Sequence, residues 1–216
     1  MGLVILTDFD GTILCLDTSV VILQRFAKGD WEIFDEQLER GEISLEECLQ
    51  NQFSTVRIGK TRMLKELDSA MSMRLGFDEL VCHCTANQIP LTIVSAGLDF
   101  IIERFIKLNG WQRSLKVQAP KAKFTSEGIK FTFPTLLDKT SVDFKQDLAR
   151  QCKRQGNRVM YIGDGIGDYH AAGDSDFAFA IKGSKLAELL KKSKTPHEEI
   201  TDFLQVVEVI KRLKPE

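Results

Sequence analysis

The sequence predicts an α/β protein, a Rossmann-like parallel sheet core with an inserted all-helical cap. Short apolar runs at 3–6, 91–94 and 158–162 have the length and β-branched content of buried parallel strands. Helical patterns separate these runs, which favours parallel pairing through crossover helices. Between the first two runs, the stretch 15–76 carries only helical patterns and therefore cannot extend the sheet.

The cap is predicted to occupy residues 15–76. Four helices are expected there, at 18–28, at 31–40, from Ser44 and from Thr61. Asp30 is predicted to cap the second helix, and Ser44 with Glu47 has the pattern of a capping box at the third. The arginines of this region are interpreted as solvated surface charges; they are Arg25, Arg40, Arg57, Arg62 and Arg74.

The core is predicted to comprise residues 1–14 and 77–216. Its expected elements are helices at 77–88, 99–108, 141–155, 184–192 and 199–213, strands at 3–6, 91–94, 158–162 and 176–180, and a small hairpin near 122–133. The triplet 126–128 contains a glycine between the two arms of the hairpin and predicts a three-residue loop. In a parallel sheet the carboxyl ends of the core strands meet at one edge.

The composition is that of an ordinary globular protein and argues against several functions. The chain has 216 residues, and its net charge of -2 gives no electrostatic argument for binding nucleic acid or an anionic membrane. No apolar run reaches the roughly 18 residues needed to span a bilayer. Five scattered cysteines, an odd number, indicate reduced thiols and predict a cytoplasmic protein, while the oligomeric state stays open.

Acidic and small side chains follow three of the predicted strands. They are Asp8 and Asp10 after the first, Ser95 and Gly97 after the second, and Asp164 and Asp168 after the third. Because the carboxyl ends of parallel strands converge, four carboxylates are expected at one edge, a set that suits Mg²⁺ beside a substrate phosphate. The glycines Gly11, Gly97 and Gly165 are predicted to let backbone N–H groups approach that phosphate.

This constellation predicts phosphoryl chemistry. A carboxylate beside a metal-held phosphate can attack phosphorus and form an aspartyl-phosphate. A second carboxylate, two residues on, can protonate the leaving oxygen and then activate water. The phosphoryl oxygens also need a cation, for which Lys145 and Lys139 are both candidates. Asp17 either begins the first cap helix or contacts the substrate.

The acidic motifs and their order resemble those of the haloacid dehalogenase superfamily in its phosphatase form. The motifs are Asp8-Phe9-Asp10-Gly11-Thr12, Ser95, a lysine, and Gly163-Asp164-Gly165-Ile166-Gly167-Asp168. The resemblance implies that Asp8 is the nucleophile and Asp10 the acid/base. It implies a phosphate-binding group made of Thr12, which holds the loop, Ser95, Gly97 and a lysine. It also implies Mg²⁺ bound by Asp8, Asp164 and the Asp10 carbonyl, with Asp168 supporting the metal shell.

The helical insertion resembles the subfamily that contains phosphoserine phosphatases. Within that subfamily, the stretch 95–100, the hairpin region 123–134 and Lys145 resemble a branch that includes a methionine-salvage phosphatase. This branch favours Lys145 over Lys139. The resemblance therefore implies a Mg²⁺-dependent phosphomonoesterase acting on a small phosphorylated metabolite, with a methionine-salvage ketopentenyl phosphate as one substrate hypothesis.

Other interpretations stay open at this point. Phosphoserine phosphatases carry a Glu where Asp17 stands, so a phosphoserine substrate is weakened without being excluded. Asp10 argues against dehalogenase chemistry, since dehalogenases lack that second Asp. A phosphotransferase would use the same residues, and a catalytically silent binding protein would be expected to have lost Asp8 or Asp10.

Overall fold

The computed structural model describes residues 2–67 and 71–213, and in that part of the chain a parallel sheet dominates. The described strands are β1 Leu3–Thr7, β2 Leu91–Val94, β3 Lys116–Gln118, β4 Lys121–Thr125, β5 Gly128–Thr132, β6 Arg158–Gly163, β7 Phe177–Ile181 and β8 Glu198–Ile200. Six of them form one sheet in the order β3-β2-β1-β6-β7-β8, in which every pairing is parallel, and β4 and β5 form a separate antiparallel hairpin. The predicted fold class is confirmed.

Ten α-helices occur in the described residues. They are α1 Thr18–Phe26, α2 Glu32–Glu39, α3 Leu45–Ser54, α4 Lys60–Leu67, α5 Phe77–Ala86, α6 Asp99–Leu108, α7 Phe144–Arg154, α8 Tyr169–Gly173, α9 Lys185–Ser193 and α10 Phe203–Arg212. A single 3-10 turn, Ile166–Asp168, joins β6 to α8. No described helix has the length and apolar character required to cross a bilayer.

Strand β1 lies at the centre of the sheet and is buried on both faces. Ile5 packs into the larger apolar cluster, and Val4 and Leu6 pack into the cluster on the other side. Alternation of side chains along a strand explains this division, because neighbouring residues point to opposite faces. An apolar run without polar alternation is therefore what a central parallel strand requires.

Helices α1 to α4 lie between β1 and α5, in the stretch predicted to form the cap. The chain leaves and re-enters this stretch side by side, since Leu14 and Met73 form an isolated bridge. The Ser44–Glu47 capping box at α3 is confirmed. The Asp30 cap is wrong, because Trp31 occupies the N-cap of α2 without a side-chain hydrogen bond. The boundaries at 15–76 stay a prediction.

The hairpin of β4 and β5 has a shorter loop than predicted. Thr125 pairs with Gly128, which leaves Ser126 and Glu127 as a two-residue loop. Gly128 has a φ of +116°, a conformation that glycine adopts readily. It pairs with Thr125 and therefore belongs to β5 instead of the loop. The side chain of Gln50 on α3 forms hydrogen bonds with the backbone of β5, which attaches the hairpin to α3.

The C-terminal prediction of a helix from Glu199 is also wrong. Residues Glu198–Ile200 form β8, which pairs with β7 at the edge of the sheet. Helix α10 begins only after Asp202, whose carboxylate accepts hydrogen bonds from the N–H groups of Leu204 and Gln205. A capping aspartate fixes the start of a helix, and the residues before it are free to pair as a strand.

Candidate active site

Three neighbouring strands bring the predicted site residues together. Strand β1 pairs with β2 on one side and β6 on the other, so Asp8, Ser95 and Asp164 follow adjacent strands at one edge of the sheet. Asp8 N–H donates to the Ile162 carbonyl at 2.9 Å, which continues the β1–β6 pairing to the end of the strand. The convergence expected from parallel topology is therefore observed.

Lys145 is the cation at this edge. Its Nζ lies 2.9 Å from Asp8 Oδ2 and 2.7 Å from Asp168 Oδ1, and only 2% of its side chain is exposed. Asp143 caps α7 by accepting a hydrogen bond from Gln146 N–H, which places Lys145 in the first turn, at the end facing the strand tips. Lys139, the competing candidate, is an exposed residue outside the site.

Charge pairing keeps Lys145 protonated. Burial by itself would lower the pKa of Lys145, but the carboxylates of Asp168 and Asp8 raise that pKa above its ordinary value. For Asp8 the two causes act the other way round: burial and the charge of Asp168 raise its pKa to about 7, and the charge of Lys145 opposes that rise. An ammonium held permanently beside a carboxylate is suited to neutralising phosphoryl oxygens.

Asp168 is fully buried and is saturated with hydrogen bonds. Its Oδ1 accepts from Lys145 Nζ and from the Tyr161 hydroxyl, both at 2.7 Å. Its Oδ2 accepts from the N–H groups of Asp164 and Gly165 at 3.0 and 2.9 Å. Asp168 therefore fixes both the lysine and the 164–165 turn. Sequence reasoning missed Tyr161, because a tyrosine within a buried strand has no pattern that marks it as a partner.

Asp10 has the environment of a general acid. The backbone N–H and the hydroxyl of Thr18 donate to Asp10 Oδ1 at 2.9 and 2.7 Å, which anchors the carboxyl group at the start of α1. Burial and the nearby charge of Asp17 raise the pKa of Asp10 well above its ordinary value. A Cβ on Gly97 would collide with the Asp10 carboxyl group, so this close approach requires glycine. A protonated carboxyl group here can donate to a leaving oxygen.

The carboxylates of Asp8, Asp164 and Asp168 fit a divalent metal ion. One oxygen of each lies within 4.8 Å of the others. Burial and the charges of Asp168 and Asp8 raise the pKa of Asp164 to about 8, so full ionisation of the cluster is unfavourable without positive charge beyond that of Lys145. Hard carboxylate oxygens are the ligands that Mg²⁺ prefers. Since Asp168 is saturated, Asp8 and Asp164 are the side chains that would hold the ion.

Other predicted ligands take different positions. The Asp10 carboxyl group lies outside the three-carboxylate cluster, which leaves its main-chain carbonyl as the predicted donor. Thr12 is fully buried, and its hydroxyl donates to Asp164 Oδ1 at 2.6 Å, so it braces the candidate metal ligand from behind the loop. The roles of Asp10 and Thr12 toward a metal or phosphate stay predictions.

The backbone amides of three predicted phosphate-binding glycines are engaged within the protein. Gly11 N–H donates to the Leu16 carbonyl and Gly165 N–H to Asp168 Oδ2, and the prediction that these glycines let backbone N–H groups approach a phosphate stays a prediction. In each case a local acceptor competes successfully for the donor. Gly97 N–H donates to Ser95 Oγ at 3.0 Å, which ties together the two residues predicted to bind phosphate after β2.

Faces of α1, α2 and α3 cover the strand tips and enclose about 730 Å³ of space, part of it open to solvent. We call this surface the roof. It comprises Leu23, Trp31, Asp35, Leu38, Leu49 and Gln52. Asp17 also lines the pocket, and its side chain caps α1 by accepting from Val20 N–H at 2.9 Å. Capping is thus observed, and substrate contact by Asp17 stays a prediction.

Arg74 is a second residue that sequence reasoning missed. Its guanidinium donates to the carbonyls of Gly11 and Thr12 at 2.7 and 2.8 Å, and to that of Thr201 at 3.3 Å. It therefore ties the loop after β1 to the segment before α10, and its interpretation as a solvated charge is wrong. Only the return of the chain at residue 73 beside residue 14 creates this contact.

Removal and addition of Mg²⁺ should give a pH-dependent change in stability. The folded-state pKa values of about 7 for Asp8 and about 8 for Asp164 exceed their ordinary value of 3.8. The metal-free protein should therefore lose stability as pH rises from the ordinary pKa of these groups to their folded-state pKa values. Saturating Mg²⁺ should raise the melting temperature at pH 8 by about 5–10 °C. The increase should be smaller at pH 5.5, where protons compete with the ion.

Thermal unfolding with and without Mg²⁺ at the two pH values measures this effect. Asp164→Asn is the informative variant, because it removes one candidate ligand and one half-buried carboxyl group. The melting temperature of this variant should depend less on pH and on Mg²⁺ than that of the parent protein. An equal Mg²⁺ shift at pH 5.5 and pH 8, or an undiminished shift in Asp164→Asn, would contradict a metal at this cluster.

Fold and site together define an α/β enzyme whose reacting groups lie at the carboxyl ends of parallel strands. A family model described as haloacid dehalogenase-like hydrolase matches residues 5–173, and the chain belongs to this family. The resemblance stated from the motifs is thereby confirmed, and the protein is a hydrolase.

Curated relatives match over nearly the whole chain. A "2-hydroxy-3-keto-5-methylthiopentenyl-1-phosphate phosphatase" of Geobacillus thermodenitrificans is 31% identical over 98% of this chain and 97% of its own length. A protein of the same name in Geobacillus kaustophilus is 28% identical, again over 98% of this chain and 97% of its own. The predicted likeness to this branch of phosphatases is confirmed by these matches.

Solved structures share the fold. A substrate-bound phosphoserine phosphatase complex superposes with a TM-score of 0.70 at 15% identity, covering 99% of both chains. A phospho-aspartyl intermediate analogue of phosphoserine phosphatase gives a TM-score of 0.71 at 17% identity, also covering 99% of both chains. At such identities these matches establish the fold alone.

Proposed function

We propose that this hydrolase is a Mg²⁺-dependent phosphomonoesterase that cleaves a small phosphorylated metabolite through an aspartyl-phosphate intermediate. One observation carries the proposal: Lys145 Nζ, buried and protonated, lies 2.9 Å from Asp8 Oδ2, with Asp164 beside them and a pocket above. A carboxylate, a cation and a second carboxylate for a metal are what phosphoryl transfer to a side chain requires.

Two chemical steps follow from the positions of Asp8 and Asp10. In the first, a carboxylate oxygen of Asp8 forms a bond to phosphorus while the bond from phosphorus to the leaving oxygen breaks. The raised pKa of Asp10 lets its carboxyl group donate the proton that the leaving oxygen needs. In the second step, Asp10 accepts a proton from water as the water oxygen attacks phosphorus, and inorganic phosphate and free Asp8 are regenerated.

The remaining groups hold charge and geometry. Lys145 neutralises phosphoryl oxygens in both steps, and Asp168 keeps Lys145 in place through its 2.7 Å contact. The Mg²⁺ ion, when bound by Asp8 and Asp164, supplies further positive charge to the phosphoryl group. Ser95 and Gly97, joined by their own hydrogen bond after β2, are proposed to contact the phosphate from the other side of Asp8.

We propose a methionine-salvage ketopentenyl phosphate, 2-hydroxy-3-keto-5-methylthiopentenyl-1-phosphate, as the substrate. The names of the Geobacillus relatives support this assignment. The leucines of the roof also support it, since an apolar methylthio end needs an apolar surface. A cytoplasmic location is proposed as well; it is supported by five free cysteines, none of them in a disulfide.

A substrate panel tests this function. Phosphate release should depend on Mg²⁺ and should be fastest with the ketopentenyl phosphate, compared with phosphoserine, sugar phosphates and pyridoxal phosphate. Including glycerol as an acceptor would reveal transfer to an alcohol instead of water. A maximum with phosphoserine would overturn the substrate assignment, and turnover that persists in a chelator would overturn the metal assignment.

A further inference from the structure

In the part of the chain that the structure describes, the pocket above the strand tips is lined by carboxylates and by no unpaired cation. Asp17 and Asp35 line the pocket, and among residues 2–67 and 71–213 the only lysine or arginine that lines it is Lys145. Lys145 is already paired with Asp8 and Asp168. A negatively charged group on the leaving side of a substrate would therefore meet like charges there, which costs free energy.

The cap arginines do not offset this repulsion, because their guanidinium groups are engaged elsewhere. Arg25 pairs with Glu66 at 2.6 Å, and Arg40 pairs with Glu36 at 3.0 Å. Arg57 donates to the Ser54 carbonyl, and Arg74 holds the loop after β1. Arg62 lies over the Phe26 ring, 5.6 Å from its centroid, and none of these five arginines lines the pocket.

Asp35 is held in place as an acceptor. The Gln52 side-chain amide donates to Asp35 Oδ1 at 2.9 Å, and the Cys48 thiol approaches the same oxygen at 3.7 Å. Burial raises the pKa of Asp35, and both donated hydrogen bonds oppose that rise because they favour the ionised carboxylate. Gln52 is only 4% exposed, so the donor that holds the Asp35 carboxylate is itself buried in the roof.

Apolar side chains line the same pocket as Asp17 and Asp35, which are both exposed residues. Leu23 and Leu49 are 2% and 8% exposed and line the pocket together with Trp31 and Leu38. Trp31, Asp35 and Leu38 share one face of α2, as their spacing of four and three residues requires. The same helix face thus offers a leaving group apolar contact and a negative charge.

We propose that the roof admits phosphomonoesters whose leaving group has an apolar part and no negative charge, and that Asp35 is the residue that sets this charge selectivity. The proposal rests on the phosphomonoesterase function and extends it to a class of leaving group. Gln52 acts as a positioning residue, because its amide fixes the Asp35 carboxylate.

Binding of two matched phosphonates tests the proposal without requiring turnover. Pentylphosphonate and 5-phosphonopentanoate have the same carbon chain and differ in a terminal methyl or carboxylate. With the Mg²⁺-loaded protein, calorimetry should show the carboxylated compound binding about 10²-fold more weakly. Asp35→Asn should narrow this ratio to about tenfold, since one of the two repelling charges is gone. Glu36→Gln is the matched control: it removes one charge from an exposed, neighbouring side chain on α2 and should leave the ratio unchanged.

Three results would overturn the proposal: equal affinity for the two phosphonates, failure of both to bind, or equal narrowing by Asp35→Asn and Glu36→Gln. The corresponding phosphate esters separate this proposal from the proposed function. If the phosphonates bind with the expected ratio and neither ester releases phosphate, the charge selectivity stands and the phosphomonoesterase function fails. If both esters are hydrolysed at equal rates with equal affinity, the function stands and the selectivity fails.

Discussion

Asp8→Asn should reduce Mg²⁺-dependent phosphate release by between about 10² and 10⁴-fold while the protein stays folded. The amide of asparagine keeps the size of the side chain and can still accept from Phe9 N–H, which donates to Asp8 Oδ1 at 2.7 Å. It lacks the anionic oxygen that attacks phosphorus. Acid quenching during turnover should trap a phosphorylated protein for the parent and none for Asp8→Asn.

Asp30→Asn is the matched control, since Asp30 is exposed and does not line the pocket. It should keep parental turnover and parental phosphoprotein. Circular dichroism and melting curves would show that Asp8→Asn retains the fold. Undiminished turnover by folded Asp8→Asn, or a phosphoprotein of normal yield, would rule out Asp8 as the nucleophile and require another attacking group.

Lys145→Met should cause the second large effect, on both stability and rate. Removing one partner of a buried ion pair leaves its counter-charges uncompensated, at a cost of about 3–5 kcal/mol, which lowers the melting temperature by roughly 10 °C. Here the uncompensated groups are Asp8 and Asp168, both buried beside Lys145. Phosphate release should fall by about 10²–10³-fold, because the phosphoryl oxygens lose a fixed cation.

The destabilisation caused by Lys145→Met should depend on pH. Burial already raises the pKa of Asp8 to about 7, and loss of Lys145, whose charge lowers it, should raise it further. The destabilisation should therefore be larger at pH 8 than at pH 5.5, where protonation removes the repulsion. Lys139→Met, at the exposed alternative lysine, should change the free energy of unfolding by less than about 0.5 kcal/mol. Similar losses in the two variants would contradict the assignment of Lys145.

Local patterns were sufficient for most elements and for the placement of the acidic motifs. Helix α6 has the predicted bounds of 99–108, and the capping box at Ser44 begins α3 as expected. Such features depend on contacts between residues a few positions apart, which a sequence displays directly. The edge strands β3 and β8 were not predicted, because a three-residue strand is defined by its neighbour in the sheet and not by its own periodicity.

The sequence by itself determined the class of the fold and the position of the acidic residues at the strand ends. Apolar runs of strand length that alternate with helical patterns require a parallel sheet, and the carboxyl ends of parallel strands share an edge. Asp8, Asp10 and Asp164 could therefore be placed near each other before any distance was known. Their catalytic and metal-binding roles remain predictions for the experiments above.

Only the tertiary structure decided which partners these carboxylates have. The choice between Lys145 and Lys139 depends on which side chain reaches the strand tips, and Lys145 Nζ does so at 2.7–2.9 Å. The hydroxyl of Tyr161 on Asp168 and the guanidinium of Arg74 on the loop after β1 are contacts of the same kind. Arg74 is distant along the chain from the loop that it contacts, and Tyr161 faces inward from β6. Hydrogen bonds and ion pairs depend on distance and direction in space, and these are properties that spacing along a sequence does not contain.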